Sequence, residues 1–183
     1  MERGCGKSKV LIDNIVWLYE NSEIDTGVIV APKGVYRNWE ISEIPVHFPE
    51  AVPHEVYVWN PNPNKTAARR LTDAIKERTK LRILLVNVEG FATPKVQKYL
   101  AAFTQGSSFL LAIDESTTIK NPKAKRTKNL LTLGSTAKYK RILTGSPVTK
   151  SPLDLYSQCA FLNPDLLGFK SYWSFQNTDS AHG

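Results

Sequence analysis

The sequence predicts an α/β domain, a mainly parallel sheet with helices on both faces, on three observations. Short apolar runs alternate with amphipathic stretches along the 183-residue chain, as strands and helices do in βαβ units. Three runs, Val28-Ile29-Val30, Ile83-Leu84-Leu85-Val86 and Phe109-Leu110-Leu111-Ala112-Ile113, are nearly continuous in apolar residues, the composition of strands covered on both sides. The chain also opens with a glycine-rich turn, Gly4-Cys5-Gly6-Lys7-Ser8, of the kind that leads into a helix and can cradle phosphate.

The elements follow in order. After the turn, Leu11, Ile15, Leu18 and Tyr19 recur at helical spacing, so a helix begins where a phosphate would need its N-terminus. Strands are expected over 27–31, 55–59, 82–87, 108–113 and 140–144. Helical patterns run over 34–44, 65–79, 94–103, 122–133 and 152–162. Asn60-Pro61-Asn62-Pro63-Asn64 reads as a surface loop, because proline and asparagine favour turns. The residues after Gly168 are polar and aromatic with no expected element, which divides the chain into a domain over 1–168 and a tail or linker start over 169–183. A phosphate turn normally follows a strand inside the sheet; the sheet is therefore expected to lack its first strand, so that either the chain is a fragment or the sheet tolerates a gap at the cost of unpaired buried N–H and C=O groups.

Composition excludes several classes. Hydrophobic content of 42% with 22% charged residues suits an ordinary globular domain. No apolar run reaches membrane-spanning length and no signal peptide is present, so the expected location is cytoplasmic, or nuclear in a eukaryotic cell, and not secreted. Cys5 and Cys159 are too few for a disulfide framework and lie in no zinc-binding cluster. The net charge of +7 favours a polyanionic partner, although a solvated basic surface is the plainer account of charge alone.

Two constellations carry chemistry. In the first, glycines bring backbone N–H groups to phosphates, Lys7 can reach the β/γ-phosphates and the Ser8 hydroxyl can ligate Mg²⁺. Met1 stands where the full pattern wants a glycine or small residue, so an ordinary glycine-rich turn before a helix is the competing reading. In the second, the strand Leu110–Ile113 ends in Asp114-Glu115. Beside a phosphate loop, the first acid can hold Mg²⁺ through water and the second can polarise the attacking water; the plain alternative is a strand end made soluble by acids.

The run Ser116-Thr117-Thr118-Ile119-Lys120-Asn121-Pro122 with the basic Lys123, Lys125, Arg126 and Lys128 resembles the second motif of the Swi/Snf-type branch of the superfamily-two helicases. Ser116 and Thr117 stand where the family usually carries Ala-His or Ser-His, a histidine that links ATP state to the rest of the cleft. Other family landmarks come in order: Val28–Lys33 with Asn38-Trp39, then Asn87–Phe91, then Arg141–Pro147, Leu153–Tyr156 and Phe161–Pro164. The resemblance covers nearly the whole chain.

It implies a RecA-like P-loop NTPase lobe that takes ATP and Mg²⁺. Gly4, Cys5, Gly6, Lys7 and Ser8 would form the ATP site, with Ser8 and Asp114 on the metal. Glu115 would be the catalytic base, acting with Lys7 and Asp114. Thr144, Gly145 and Ser146 would couple nucleotide state to a DNA surface that includes Lys33 and Lys120; the four basic residues after Lys120 are equally well solvated. Trp39, at helical spacing from Val35, is expected in the core.

The implied activity is ATP hydrolysis that drives movement on duplex DNA once a second RecA-like lobe, absent here, supplies its arginines. Alone, the chain is expected to hydrolyse ATP very slowly or not at all. The alternative is a non-catalytic DNA- or protein-binding remnant of such a helicase. A P-loop kinase or GTPase fits less well, because no guanine-reading Asn-Lys-x-Asp occurs and Ile119-Lys120-Asn121 would be unexplained.

Overall fold

Each expected strand forms, and all pair in parallel. The structure, a computed structural model, describes residues 6–145, 152–168 and 171–180. Helix α1 (Lys7–Glu20) leads into β1 (Thr26–Ala31). A helical segment follows, made of α2 (Tyr36–Asn38), a π turn (Trp39–Glu43) and α3 (Ile44–His47). Then come β2 (His54–Val58), α4 (Lys65–Lys76), β3 (Leu81–Asn87), α5 (Pro94–Thr104), β4 (Phe109–Asp114), α6 (Lys125–Gly134), β5 (Tyr139–Leu143), α7 (Tyr156–Leu162) and α8 (Tyr172–Ser180). The strand order is β2-β3-β1-β4-β5.

Burial follows position in the sheet. The inner strands β1, β3 and β4 are buried almost throughout, whereas β2 and β5, at the edges, are mostly half-buried. Side chains alternate between faces. Val28, Val30, Leu84, Val86, Leu111 and Ile113 pack under α4 to α7. Ile29, Ala31, Ile83, Leu85, Leu110 and Ala112 pack under α1, Trp39 and Ile44. The turn at 60–64 is a loop as expected, and Asn64 caps α4 by accepting from the Ala67 N–H.

One expectation is corrected. No element was expected after Gly168, yet α8 forms there, and Tyr172 and Phe175 pack on Tyr156, edge-on and tilted, with ring centroids 5.2 and 5.7 Å away. Aromatic residues in a polar stretch are here the contact face of a short helix, too weakly patterned to show a helical period.

Arg82 is fully buried at the amino end of β3, where nothing in the apolar run signals it. Its guanidinium donates to the Ala74 and Phe103 carbonyls, each at 3.1 Å, and to the Thr26 hydroxyl at 2.7 Å. The two carbonyls belong to the last turns of α4 and α5, which have no intrahelical donor. One cation therefore ties two helix ends to the sheet.

The opposite edge is open. Among the described residues β5 pairs only with β4. A groove of about 420 Å³ runs between α1 and β5, walled by Val10, Leu11, Asn14, Arg141, Ile142 and Leu143. Val10 and Trp17, seven residues apart on α1, are 64% and 58% exposed.

Two outcomes follow. Arg82→Ala should lower unfolding free energy in urea by about 1–3 kcal/mol, the cost of leaving buried acceptors without their donor; a loss below about 0.5 kcal/mol would contradict the role given to it. In hydrogen–deuterium exchange, outward amides of β5 should exchange far faster than those of β1, and equal protection would mean that the β5 edge is covered.

Candidate active site

Parallel pairing places every strand's carboxyl end on one rim, where ligands of open α/β sheets bind. The register sets Ala31 beside Asn87, Val30 beside Ile113 and Asp114 beside Leu143. The residues after these strand ends include Lys33, Glu89, Glu115 and Thr144, all sequence-expected or adjacent to expected positions. Helix α1 begins at the same rim.

Gly6 caps α1 with φ 72° and ψ 17°, a left-handed conformation that side chains resist. A Cβ there would meet no atom within 4 Å, so backbone angle rather than space requires glycine. Lys7 and Ser8 follow in the first turn, half-buried, where N–H groups lack intrahelical acceptors and the helix dipole is positive. No acidic side chain occupies that turn. Gly4 and Cys5 lie outside the described residues.

Asp114 ends β4 on the Leu110/Ala112 face and is 9% exposed. The Trp39 indole N–H donates to its Oδ2 at 2.9 Å, and the Glu115 backbone N–H donates to its Oδ1 at 3.0 Å. Burial pushes the carboxyl above the usual aspartate range; the indole bond, the Glu115 N–H and the charge of Lys7 pull the other way. That influence puts Lys7 within electrostatic range of Asp114, and Lys7 also lines the groove wall with Leu143 and Thr144. The first turn of α1, the end of β4 and the end of β5 thus converge.

Glu115 sits at φ 52° and ψ 60°, a left-handed conformation that costs a non-glycine residue about 1–3 kcal/mol and concentrates at functional sites. Surrounding contacts hold it. Ser116, fully buried, donates from Oγ to Gln158 Oε1 at 2.5 Å. Ser157 donates to the Lys120 carbonyl at 3.2 Å, and the Lys120 ammonium lies 3.5 Å from Asp154. The Asp-Glu loop is thereby buttressed by α7 and the turn before it.

The remaining candidates fall as follows. Lys33 is exposed, and its backbone N–H faces Glu89 Oε1 at 3.5 Å. Lys120 is turned toward Asp154 and its side chain is 25% exposed. Thr144 and Gly145 are half-buried at the end of β5, and Ser146 lies outside the described residues. Trp39 is in the core, as expected, at 1% exposure.

Sequence reasoning missed the Trp39–Asp114 bond and the Ser116–Gln158 pair. The first had a signal, since a core indole N–H needs an acceptor. A buried serine and glutamine carry no local pattern.

Among the described residues no group of three His, Cys, Asp or Glu side chains could hold a metal alone. Mg²⁺ in nucleotide sites takes one or two protein oxygens and completes its shell with phosphate and water. Each oxygen of Asp114 accepts one N–H and keeps a lone pair, so Asp114 with the Ser8 hydroxyl fits a phosphate-bound Mg²⁺.

The SNF2-related domain matches residues 2–181. The chain belongs to this family of helicase-like ATPase domains. It is 28% identical over 181 residues to an Arabidopsis thaliana protein named "Probable ATP-dependent DNA helicase CHR12", covering 98% of this chain and 15% of that protein. It is 29% identical over 167 residues to the human "DNA annealing helicase and endonuclease ZRANB3", covering 91% of this chain and 14% of that protein. The SWI2/SNF2 ATPase core of Sulfolobus solfataricus, solved with double-stranded DNA, superposes with a TM-score of 0.71 at 26% identity. That match covers 96% of this chain and 32% of the solved one. The SNF2 chain therefore spans a minor part of its relatives, and its five-stranded parallel sheet is the RecA-like fold of an SNF2 ATPase core. Among the described residues no helix is long and apolar enough to cross a membrane.

Lys7→Ala should abolish Mg²⁺-ATP binding in calorimetry without altering the circular dichroism spectrum. Binding that survives in the variant would remove Lys7 from the site.

Proposed function

We propose that this chain is the ATP-binding lobe of a DNA-dependent ATPase that moves on duplex DNA when joined to a second RecA-like lobe. The observation that carries it is the convergence of Lys7, Asp114 and Thr144 at one rim, behind a glycine-capped helix terminus. The match to a DNA-bound SWI2/SNF2 core and the relatives' helicase names support the choice of partner.

In this reading the N–H groups of Gly4 to Ser8 hold the α- and β-phosphates, and Lys7 reaches the β/γ-phosphates. Bound Mg²⁺ would neutralise charge developing on the phosphate oxygens, with Ser8 and Asp114 as the protein's oxygens. Glu115 orients a water toward the γ-phosphorus and accepts its proton as the new P–O bond forms and the bond to the β–γ bridging oxygen breaks. Thr144, Gly145 and Ser146 follow a strand that borders both Lys7 and Asp114, which suits them to relay phosphate loss. Lys33 and Lys120 contact the DNA backbone, Lys120 after leaving Asp154.

The lobe over 1–168 carries these groups, and 169–183 leads toward the second lobe. A strand entering the phosphate turn has a place along the open edge of β5. Without the arginines of the second lobe, turnover falls by about 10³–10⁵. Such a motor works wherever duplex DNA is found, the cytoplasm of a bacterial or infected cell or a nucleus.

Glu115→Gln should leave Mg²⁺-ATP affinity within about twofold, because it contacts water rather than phosphate, and should erase the slow single-turnover hydrolysis of the wild-type chain. Equal turnover in variant and wild type would displace Glu115 as base. Duplex binding should weaken steeply with salt, and Lys33→Ala should reduce the salt slope by about 1. A folded chain that binds no nucleotide would instead be a non-catalytic DNA- or protein-binding remnant.

A further inference from the structure

Trp39 is the first residue of a π turn, and it sits at the meeting of two features. Closing a turn from i to i+5 is uncommon and recurs at functional sites. Its effect here is geometric. Residues five apart on an α-helix point about 140° away from each other, but Trp39 and Ile44 bound this turn and both pack into the cluster beneath α1. The π turn therefore lets the segment bury Ile44 while its tryptophan still points to the carboxyl rim. Ahead of the turn, Lys33 and Arg37 remain exposed.

The indole N–H is a donor without alternatives, since indole offers one N–H and no acceptor. At 1% exposure it has lost access to water, and it donates to Asp114 Oδ2 at 2.9 Å. A buried donor left unpaired is costly, so the bond holds both partners. Asp114 Oδ1 is fixed independently by the Glu115 N–H. Two donors on two oxygens set the plane of the carboxylate, and one of them comes from a segment 75 residues away.

We propose that Trp39 is a positioning residue that fixes Asp114 for the metal of bound nucleotide and ties that carboxylate to the exposed basic segment of Lys33 and Arg37. The proposal rests on the nucleotide-site reading above. Groups that orient a metal's ligands typically account for about 10–100-fold in metal affinity. Trp39 acts through Asp114 and touches no phosphate, so its loss weakens only the metal-dependent part of binding.

The test is ATP calorimetry on wild type and Trp39→Phe, each in Mg²⁺ and in EDTA. Trp39→Phe should leave the EDTA constant within about twofold and reduce the affinity gained from Mg²⁺ by about tenfold or more. In an Asp114→Asn background it should cause no further loss. An unchanged Mg²⁺ gain, or equal weakening in Mg²⁺ and EDTA as a purely structural role would give, overturns the proposal alone. Wild type that binds no nucleotide overturns it together with the site reading. Should Trp39→Phe fail to fold, the wild-type chain decides: the ¹⁵N–¹H resonance of the Trp39 indole should shift with Mg²⁺-ATP and stay in place with ATP in EDTA. Its indifference to Mg²⁺ would overturn the proposal.

Discussion

A strand that pairs in parallel must return its chain across the sheet before the next strand begins, and the rest of this structure depends on that constraint. Each crossover starts at the carboxyl rim and ends at the opposite one. The segments free to carry chemistry are thus gathered beside one another, although the sequence separates Lys7 from Thr144 by most of the chain. Helix α1 adds its N-terminus to that rim, where unpaired N–H groups favour an anion. The amino rim carries structural work instead, and Arg82 binds helix ends there.

Within the rim, burial sets the electrostatics. Asp114 is close to the core, and its ionised form is favoured only by the few donors aimed at it: an indole, one backbone N–H and the charge of Lys7. A carboxylate so placed is oriented before any ligand arrives, and low reorganisation is what electrostatic catalysis requires. Glu115, one residue on, is held differently. Its left-handed backbone is fixed by the turn behind it, which α7 secures through Gln158 and Ser157 and the turn before α7 through Asp154. The two acids are neighbours in sequence but answer to different parts of the fold.

The strands were legible because a parallel sheet covered on both sides makes its inner strands uniformly apolar. Val28–Val30, Ile83–Val86 and Phe109–Ile113 could be read directly, and the structure adds only a residue or two to their ends. The strand-end acids and the Gly6-Lys7-Ser8 turn were legible for a related reason, since polar residues that punctuate apolar runs stand out. What escaped notice depends on contacts between distant elements. The helix after Gly168 forms around Tyr156, and α6 starts at Lys125, three residues after the proline taken as its beginning. The role of Arg82 at the start of its strand left no trace in the sequence, because nothing local shows that two helix ends stop above it. Trp39 was assigned to the core from its spacing from Val35, but its hydrogen bond required the position of β4.

The most direct test is a crystal structure of this chain with Mg²⁺ and a non-hydrolysable ATP analogue. Phosphates should lie against the first turn of α1, with the Lys7 ammonium on the β/γ oxygens and Asp114 on the metal side, its Trp39 bond intact. Nucleotide bound away from Lys7, or phosphates at the rim with Asp114 turned from the metal, would contradict that arrangement.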